Sequence, residues 1–222
     1  MNEASVDETS VCGAEENRPT VFVVDDDAAA LESISAALTA RGWDVELFSS
    51  AEAYLDQLDP NRPGCLVLDL RLQGMDGMAL QQELLSRRVT VPIVIVTAYP
   101  DVPSAVTTIG DGAVAYLTKP HRDGDLQRYV EKAVEDDRKY RARHGRRLEL
   151  ARRFGKLTDS ECYVLDRLMD GQPNKEIAAA LKLGLRTVEL RRAKIFEKTG
   201  ARSLAELIRL KLELDQCTSE GA

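Results

Sequence analysis

This chain of 222 residues lacks several features that define whole classes of protein. No apolar run approaches the ~18 residues that a membrane-spanning helix requires, which argues against a membrane protein. The first four residues are polar and acidic, so we expect no signal peptide. The cysteines show no metal-ligand spacing, which favours reduced thiols in a cytoplasmic protein. They are Cys12, Cys65, Cys162 and Cys217.

Basic residues are outnumbered in the first part of the chain, and acidic residues are outnumbered in the second. Residues 1–150 carry 16 Lys and Arg against 26 Asp and Glu, a net charge of −10. Residues 151–222 carry 14 against 11, a net charge of +3, and the two parts give the total of −7. This asymmetry predicts different partners for the two parts. A charge of +3 is by itself weak evidence for nucleic-acid binding.

Short β-branched runs recur from Thr20 onwards and alternate with helical patterns. The predicted strands span 20–25, 44–48, 64–69, 92–97 and 113–118. The predicted helices lie near 28–41, 51–58, 76–88, 102–109 and 123–143. Continuous apolar strands separated by helices are typical of a buried parallel sheet. Five such units predict an α/β domain of the flavodoxin-like, doubly wound type.

Polar side chains stand at the carboxyl ends of four of these strands. They are Asp25, Asp26 and Asp27 at the first strand, Asp69 at the third, Thr97 at the fourth and Thr118-Lys119-Pro120 at the fifth. The carboxyl ends of parallel strands lie along one edge of the sheet, so we expect these groups to meet in one crevice. Such a set suits a hard divalent cation and an oxyanion held next to a carboxylate. Asp27 is also predicted to cap the first helix.

The rest of the chain predicts a short all-helical domain. Residues 158–161 form a capping box at a helix start, and Gly171 suits the end of that helix. Asn174 is predicted to cap a helix over 175–182, after which a turn at Gly184 leads into the next helix. Two short helices joined by a glycine-containing turn indicate a helix-turn-helix.

Several phrases of the sequence, in their joint order and spacing, resemble one family closely. VVDDD at 23–27, LVLDLRL at 66–72, VTAYPDVP at 96–103 and TKP at 118–120 resemble the receiver domain of two-component response regulators. GQPNKEIA at 171–178 and RTVE at 186–189 resemble the LuxR-type helix-turn-helix. Over 20–214 the chain is therefore similar to the NarL/FixJ type, a receiver followed by a LuxR-type DNA-binding domain.

With this resemblance, the chain is expected to divide into five segments. They are a disordered N-terminal tail at 1–18, a receiver at 19–136, a helical linker at 137–153, the LuxR-type domain at 154–216 and a C-terminal tail at 217–222. Mixed charge with few apolar anchors follows Val134 and predicts the linker.

The resemblance implies roles for the acidic residues of the crevice. Asp69 would accept a phosphoryl group from a sensor histidine kinase. Asp26, Asp69 and the backbone carbonyl of Arg71 would bind Mg²⁺, with Asp25 assisting. The bland alternative for residues 25–27 is a solvated turn with a helix cap.

The resemblance also implies roles for three residues of the later strands. Lys119 and the Thr97 hydroxyl would contact phosphoryl oxygens, and Thr97 and Tyr116 would act together as a switch. A static, half-buried Tyr116 is the alternative. The Lys119-Pro120 bond is a candidate cis peptide. Two residues depart from the family, since Gln73 replaces a common proline and His121, read as a surface residue, replaces a common aromatic.

The segment 187–198 would be the DNA-recognition helix. The residues expected at DNA are Lys175, Arg186, Thr187, Glu189, Arg191, Arg192, Lys194 and Lys198, and the alternative for each charge is a solvated face. Val188, Ile195 and either Leu190 or Thr199 would supply packing. Arg191 stands where the family often has histidine, which leaves the base preference open.

These features predict a phosphorylation-controlled transcription regulator and not an enzyme. Phosphorylation would favour a dimer through the helix at 102–109, the strand at 113–118 and the start of the helix at 123–143. The apolar helix 204–214 would either help to dimerise the DNA-binding domain or serve only its core. The expected partners are a sensor histidine kinase, double-stranded DNA and a second copy, with RNA polymerase a further candidate.

Two other functions stay open at this point. One is a receiver-controlled protein-interaction module, or a phosphate sink, whose helical domain does not bind DNA. The other is a DNA-binding protein that ignores phosphorylation, against which the complete set of Asp26, Asp69, Thr97 and Lys119 argues.

Overall fold

The structure, a computed structural model, describes residues 18–216. The predicted tails lie outside the described residues, apart from Arg18 at the end of the first. The chain forms two compact units that divide between Tyr140 and Arg141. Among residues 18–216, no helix is long and apolar enough to cross a membrane.

Strands and helices alternate through the first unit as predicted. The elements are β1 (Thr20–Val24), α1 (Ala28–Thr39), β2 (Asp44–Phe48), α2 (Ala51–Asp56), β3 (Gly64–Leu68), α3 (Gly77–Ser86), β4 (Ile93–Thr97), α4 (Val102–Gly110), β5 (Ala115–Thr118) and α5 (Asp123–Phe154). The five strands pair in parallel in the order β2-β1-β3-β4-β5. This is the doubly wound fold that the alternation predicted.

The sheet is buried on both faces because successive strand residues point to opposite sides. Val21 and Val23 of β1 pack in one cluster with apolar residues of α1 and α5. Phe22 and Val24 pack in a second cluster with residues of α2 and α3. All five residues of β1, β3 and β4 are buried, which explains their unbroken hydrophobic sequences.

Helix α5 is longer than its predicted stretch near 123–143 and continues without a break to Phe154. Asp137 is buried, and its Oδ2 accepts a hydrogen bond from the backbone N–H of Gly64 at 2.9 Å. Leu150 and Phe154, at the other end of the helix, are buried in the core of the second unit. The predicted linker segment is therefore the distal part of a helix whose last turns serve another core.

The second unit contains four further helices. They are α6 (Asp159–Met169), α7 (Asn174–Ala180), α8 (Leu185–Thr199) and α9 (Leu204–Gln216). The capping box is present, since Thr158 and Glu161 satisfy each other's backbone N–H groups at the start of α6. The predicted cap of α7 was wrong by one residue: Pro173 is the N-cap, and Asn174 is the first helical residue.

Packing in the second unit bears on two assignments that the sequence left open. Thr199 is fully buried and bonds the backbone oxygen of Ile195 at 2.7 Å, whereas Leu190 is 55% exposed. In α9, Leu207 and Leu210 are buried in the core while Leu212 is 48% exposed. Most of the apolar surface of α9 thus serves its own domain.

Candidate functional site

Three of the predicted side chains meet at the carboxyl edge of the sheet. Lys119, which follows β5, donates from Nζ to Oδ2 of Asp69 at 2.7 Å and to Oδ2 of Asp25. The two carboxylates follow β3 and β1, and their residues are 7% and 2% exposed. Parallel pairing of these strands brings residues 25, 69 and 119 together although 94 positions separate the outermost two.

Each carboxylate uses its other oxygen to hold its own turn. Asp25 Oδ1 accepts from the backbone N–H of Asp27 at 3.0 Å, and Asp69 Oδ1 accepts from that of Arg71 at 3.1 Å. The carboxylates are therefore bonded on both sides, which fixes their positions before any ligand arrives. Asp27 accepts from the N–H of Ala29 at 2.9 Å and caps α1, as predicted.

The cluster has more negative than positive charge. Burial raises the pKa of Asp25, and the hydrogen bond from Lys119 opposes that rise. Burial works against the charge of Lys119 as well, but its hydrogen bonds to Asp25 and Asp69 outweigh burial and raise the pKa of the ammonium. Two carboxylates that share one ammonium leave a formal charge of −1, which is a suitable environment for a cation.

Asp26, the third predicted acidic residue, does not join the cluster. Its side chain is exposed. Among residues 18–216, no group of three or more His, Cys, Asp or Glu side chains is already assembled around a metal position. The oxygen donors available to a hard cation are those of Asp25 and Asp69, and Asp26 directly follows Asp25 in the chain. This set of oxygen donors fits Mg²⁺.

Thr97 and Tyr116 lie on neighbouring strands of the same sheet. Thr97 is fully buried at the end of β4, and its Oγ1 accepts from the backbone N–H of Tyr99 at 3.3 Å. Tyr116 is half-buried against the α2–α3 side of the sheet. Its hydroxyl is inaccessible to water and has no hydrogen-bond partner among the described residues. The ring is therefore packed while its polar end stays unsatisfied.

The residues after Lys119 differ in part from prediction. The Lys119-Pro120 peptide is cis, as predicted. His121 was predicted at the surface, but it is half-buried and its Nδ1 is inaccessible, without a hydrogen-bond partner in the described part of the chain.

Sequence reasoning missed Gly77, which lies against the backbone of Asp69. A Cβ atom at Gly77 would collide with the backbone oxygen of Asp69. The N–H of Gly77 also donates to the backbone oxygen of Leu70 at 3.0 Å. The available signal was a glycine at the first position of a helix, directly after the capping residue Asp76.

Five of the eight residues predicted at DNA are exposed in the second unit. They are Lys175, Arg186, Thr187, Glu189 and Lys194. Arg191 is half-buried. Arg192 is held in place, because its Nη1 donates to Oδ1 of Asn174 at 3.0 Å and its guanidinium lies 5.7 Å from the ring centre of Phe196. Arg192 thus links α8 to α7.

Lys198 occupies a different position from the one predicted. Its Nζ donates to Oε2 of Glu161 at 2.6 Å, and Glu161 is only 4% exposed. That hydrogen bond and the one from Thr158 lower the pKa of Glu161 to about 2. We therefore assign Lys198 to the packing of α8 on α6, because a buried carboxylate needs its cation.

Comparison with known protein families matches both units. The response regulator receiver domain matches residues 21–131, and the luxR family of bacterial regulatory proteins matches residues 155–211. The chain belongs to the NarL/FixJ-type response regulators. This family consists of transcriptional regulators and not of enzymes.

Relatives of this response regulator align with it along most of their length. The transcriptional regulatory protein FixJ of Bradyrhizobium diazoefficiens is 36% identical over 86% of this chain and 94% of its own. Nodulation protein W of the same organism is 38% identical over 86% and 84%. A solved structure of the response regulator StyR has a TM-score of 0.85 at 36% identity, covering 88% of this chain and 99% of its own.

Proposed function

We propose that a sensor histidine kinase phosphorylates Asp69 and that phosphorylation promotes dimerisation and sequence-specific DNA binding. The observation that carries this proposal is the hydrogen bonding of Asp69 and Asp25 to Lys119 at the carboxyl edge of the sheet. The receiver of this response regulator requires a kinase as partner, and its LuxR-type domain requires DNA. A bacterial DNA-binding regulator acts in the cytoplasm, where the chromosome lies.

Asp69 is the best candidate for the phosphoacceptor. Its carboxylate is 7% exposed, and it therefore touches solvent at the mouth of the crevice more than Asp25 does at 2%. Lys119 is the point charge that would hold a phosphoryl oxygen, as lysine does in other phosphate sites. The Asp69 oxygen that is bonded to Lys119 would form the new bond to phosphorus while the bond between phosphorus and the histidine nitrogen of the kinase breaks.

Mg²⁺ is the cofactor that the donor set fits. Asp25, Asp26, Asp69 and the carbonyl of Arg71 would hold it, and Asp26 would have to turn inwards from its exposed position. The ion supplies positive charge against an incoming phosphoryl group. The residues of the chain supply a formal charge of −1, two ordered carboxylates and the ammonium that both carboxylates share.

Thr97 and Tyr116 would report the phosphoryl group to the surface. The Thr97 hydroxyl accepts one hydrogen bond and keeps its own proton to donate. A move of Thr97 towards a phosphoryl oxygen would free space beside β5. The Tyr116 ring would move into a position where its hydroxyl, which has no hydrogen-bond partner among the described residues, can form a hydrogen bond.

The surface of α4 is suited to the predicted dimer. Val102 is 75% exposed, Val106 68% and Ile109 46%, at spacings of four and three residues that place them on one face. Within α4, which the structure describes in full, Thr108 is the only buried residue. An exposed apolar face on a loosely attached helix supports a contact that forms on activation.

In the second domain, the exposed residues at the start of α8 would contact DNA. Arg186, Thr187 and Glu189 lie in its first turn and a half, and Lys175 lies at the start of α7. Lys194 and Arg191 extend the basic surface. Arg192 would act by orienting α8 against α7, and RNA polymerase remains a candidate partner of the bound dimer.

The test is phosphorylation of the full chain with acetyl phosphate and Mg²⁺, followed by gel shift on a selected binding site. Asp69→Asn should abolish labelling and the gain in DNA affinity, because an amide does not attack phosphorus. Asp56→Asn, at an exposed carboxylate of α2 outside the cluster, is the matched control and should behave as wild type. Labelling of Asp69→Asn at the wild-type rate would refute the acceptor assignment.

The same experiment separates the other functions. A chain that is labelled but shifts no DNA at low salt would favour a protein-interaction module or a phosphate sink. DNA binding that is equal with and without phosphodonor would favour a regulator that ignores phosphorylation.

A further inference from the structure

The loop after Asp69, here called the acceptor loop (residues 70–76), is anchored firmly at both ends. At its start, the N–H of Arg71 donates to Asp69 Oδ1 at 3.1 Å. At its end, Asp76 caps α3 through the N–H of Ala79 at 2.7 Å, and Gly77 lies against the Asp69 backbone. These contacts leave residues 72–75 to be held by something else.

The middle of the loop has no intrinsic stiffness. Gln73 stands where a proline ring would fix φ, and Gly74 has a φ of +81°, which side-chain-bearing residues rarely adopt. Leu72 and Met75 are only partly buried against the core. This segment therefore gains its order from contacts outside the loop.

Glu52 of α2 provides such a contact. Its Oε1 accepts a hydrogen bond from the backbone N–H of Met75 at 2.8 Å, across 23 positions of sequence. A Cβ atom on Gly74 would lie 2.7 Å from the same oxygen, so the missing side chain of Gly74 makes room for the carboxylate. The hydrogen bonds from its own N–H and that of Met75 lower the pKa of Glu52.

We propose that Glu52 is a positioning residue, which tethers the acceptor loop to α2 and thereby orders the Arg71 carbonyl for Mg²⁺. This inference rests on the proposed function of Asp69 and Arg71. A loop that is ordered before binding loses less conformational entropy when the ion arrives. The Glu52 tether thus takes over the stiffening that proline gives the loop in other family members.

The experiment compares Glu52→Ala, Glu52→Gln and Asp56→Asn in the full chain without phosphodonor. Asp56 is an exposed carboxylate one turn later on α2, so its variant controls for loss of one negative charge. NMR measures the amide exchange rate of Met75, and calorimetry measures the affinity for MgCl₂. We expect Glu52→Ala to accelerate exchange and weaken Mg²⁺ binding, each roughly three- to tenfold.

Glu52→Gln keeps an acceptor oxygen, so it should accelerate Met75 exchange and weaken Mg²⁺ binding less than Glu52→Ala does. Asp56→Asn should match wild type in both measurements. Gly74→Ala should accelerate Met75 exchange as Glu52→Ala does, because its Cβ displaces the carboxylate. If Glu52→Ala unfolds, Glu52→Gln is measured in its place. Weaker Mg²⁺ binding with unchanged Met75 exchange would overturn the inference, because it would indicate a charge effect alone.

Different results would overturn the proposed metal site and the proposed role of Glu52. Wild-type protein that binds no Mg²⁺ would overturn the proposed metal site and the inference with it. Wild-type protein that binds Mg²⁺, together with a Glu52→Ala variant that equals it in affinity and in Met75 exchange, would overturn the inference alone.

Discussion

Replacing Lys119 with methionine removes the ammonium that Asp25 and Asp69 share while keeping the length of the side chain. Removing one partner of a buried ion pair typically costs about 3–5 kcal/mol, because the remaining charge stays buried. The side chain of Lys119 is 19% exposed, so water compensates in part. We therefore expect a loss of about 2–3 kcal/mol in the free energy of unfolding in the absence of Mg²⁺. A domain stable by ~5–15 kcal/mol stays folded.

Mg²⁺ should reverse most of this loss. The ion would occupy the negative cluster that the variant leaves without its ammonium. Magnesium at 100 times its dissociation constant stabilises the folded state by about 2.7 kcal/mol. Wild-type protein should gain less, because there the ion competes with Lys119 for the same carboxylate oxygens.

The pH dependence of the destabilisation caused by Lys119→Met provides an independent test of its electrostatic origin. The pKa of Asp25 is raised by burial, so this group takes up a proton at a higher pH than a free aspartate. Protonation removes the buried charge that the variant leaves without its cation. The destabilisation caused by Lys119→Met should therefore shrink as the pH falls towards the pKa of Asp25.

The measurement is urea unfolding of the full chain followed by tryptophan fluorescence. Trp43 is the single tryptophan and packs on the core of the first unit, so its signal reports the receiver. The midpoint should fall by about 1 M in EDTA. Lys132→Met, at an exposed position of α5, is the matched control. A Lys119→Met midpoint equal to wild type, or one that Mg²⁺ leaves unchanged, would refute the electrostatic reasoning.

Three further predictions concern the other surfaces. Arg186→Ala with Lys194→Ala should reduce the slope of log affinity against log salt by roughly 2, whereas an unchanged slope would remove both from the DNA interface. Val106→Glu should leave phosphorylation intact and prevent dimerisation in sedimentation experiments; a normal phosphorylated dimer would exclude α4 from the interface. The pKa of Glu161 is lowered to about 2. The contribution of this carboxylate to stability is therefore present at pH values above its ordinary pKa of 4.5 and is lost as the pH falls towards 2. Glu161→Gln should therefore cost about 1–3 kcal/mol at pH 7 and flatten this acid dependence in NMR-detected unfolding of α6 and α8, and a variant with the wild-type acid dependence would contradict the assignment.

The sheet and its carboxyl edge could be predicted because a parallel strand carries its signal locally. β1, β3 and β4 are hydrophobic at every position, and the polar residues that end them mark the edge. The alternation of strands and helices could not predict which of the adjacent aspartates, Asp25 or Asp26, points into the crevice. Asp25, the first residue after β1, is 2% exposed, whereas Asp26 lies in the bend that follows and is exposed.

The length of α5 was underestimated because its stability is partly local and does not depend on an apolar stripe. Glu135 pairs with Arg138 and Lys139, and Glu149 pairs with Arg152 and Arg153, all at helical spacings of three or four. Each such exposed pair contributes little by itself, because water screens the attraction between the two charges. In the sequence alone, these residues show only the mixed charge that is typical of a linker.

The contacts that sequence reasoning missed join segments that are far apart in the chain. Lys198 bonds Glu161 across 37 positions and Arg192 bonds Asn174 across 18. Nothing in the pattern of α8 distinguishes these two cations from Arg186 or Lys194. The distinction arises from the packing of three helices, which turns one side of α8 towards the core and leaves another free for DNA.

The weak attachment of α4 suggests how a small change at Asp69 could alter a distant surface. α4 is linked to α3 by a hydrogen bond of 2.9 Å from Gln81 to the backbone oxygen of Thr108, and its apolar residues face outwards. One new charge-assisted hydrogen bond from Thr97 to a phosphoryl oxygen contributes about 1.5–3 kcal/mol. An energy of that size shifts a two-state equilibrium by one to two orders of magnitude. Because α4 begins five residues after Thr97, it is the element that such a shift would reach first.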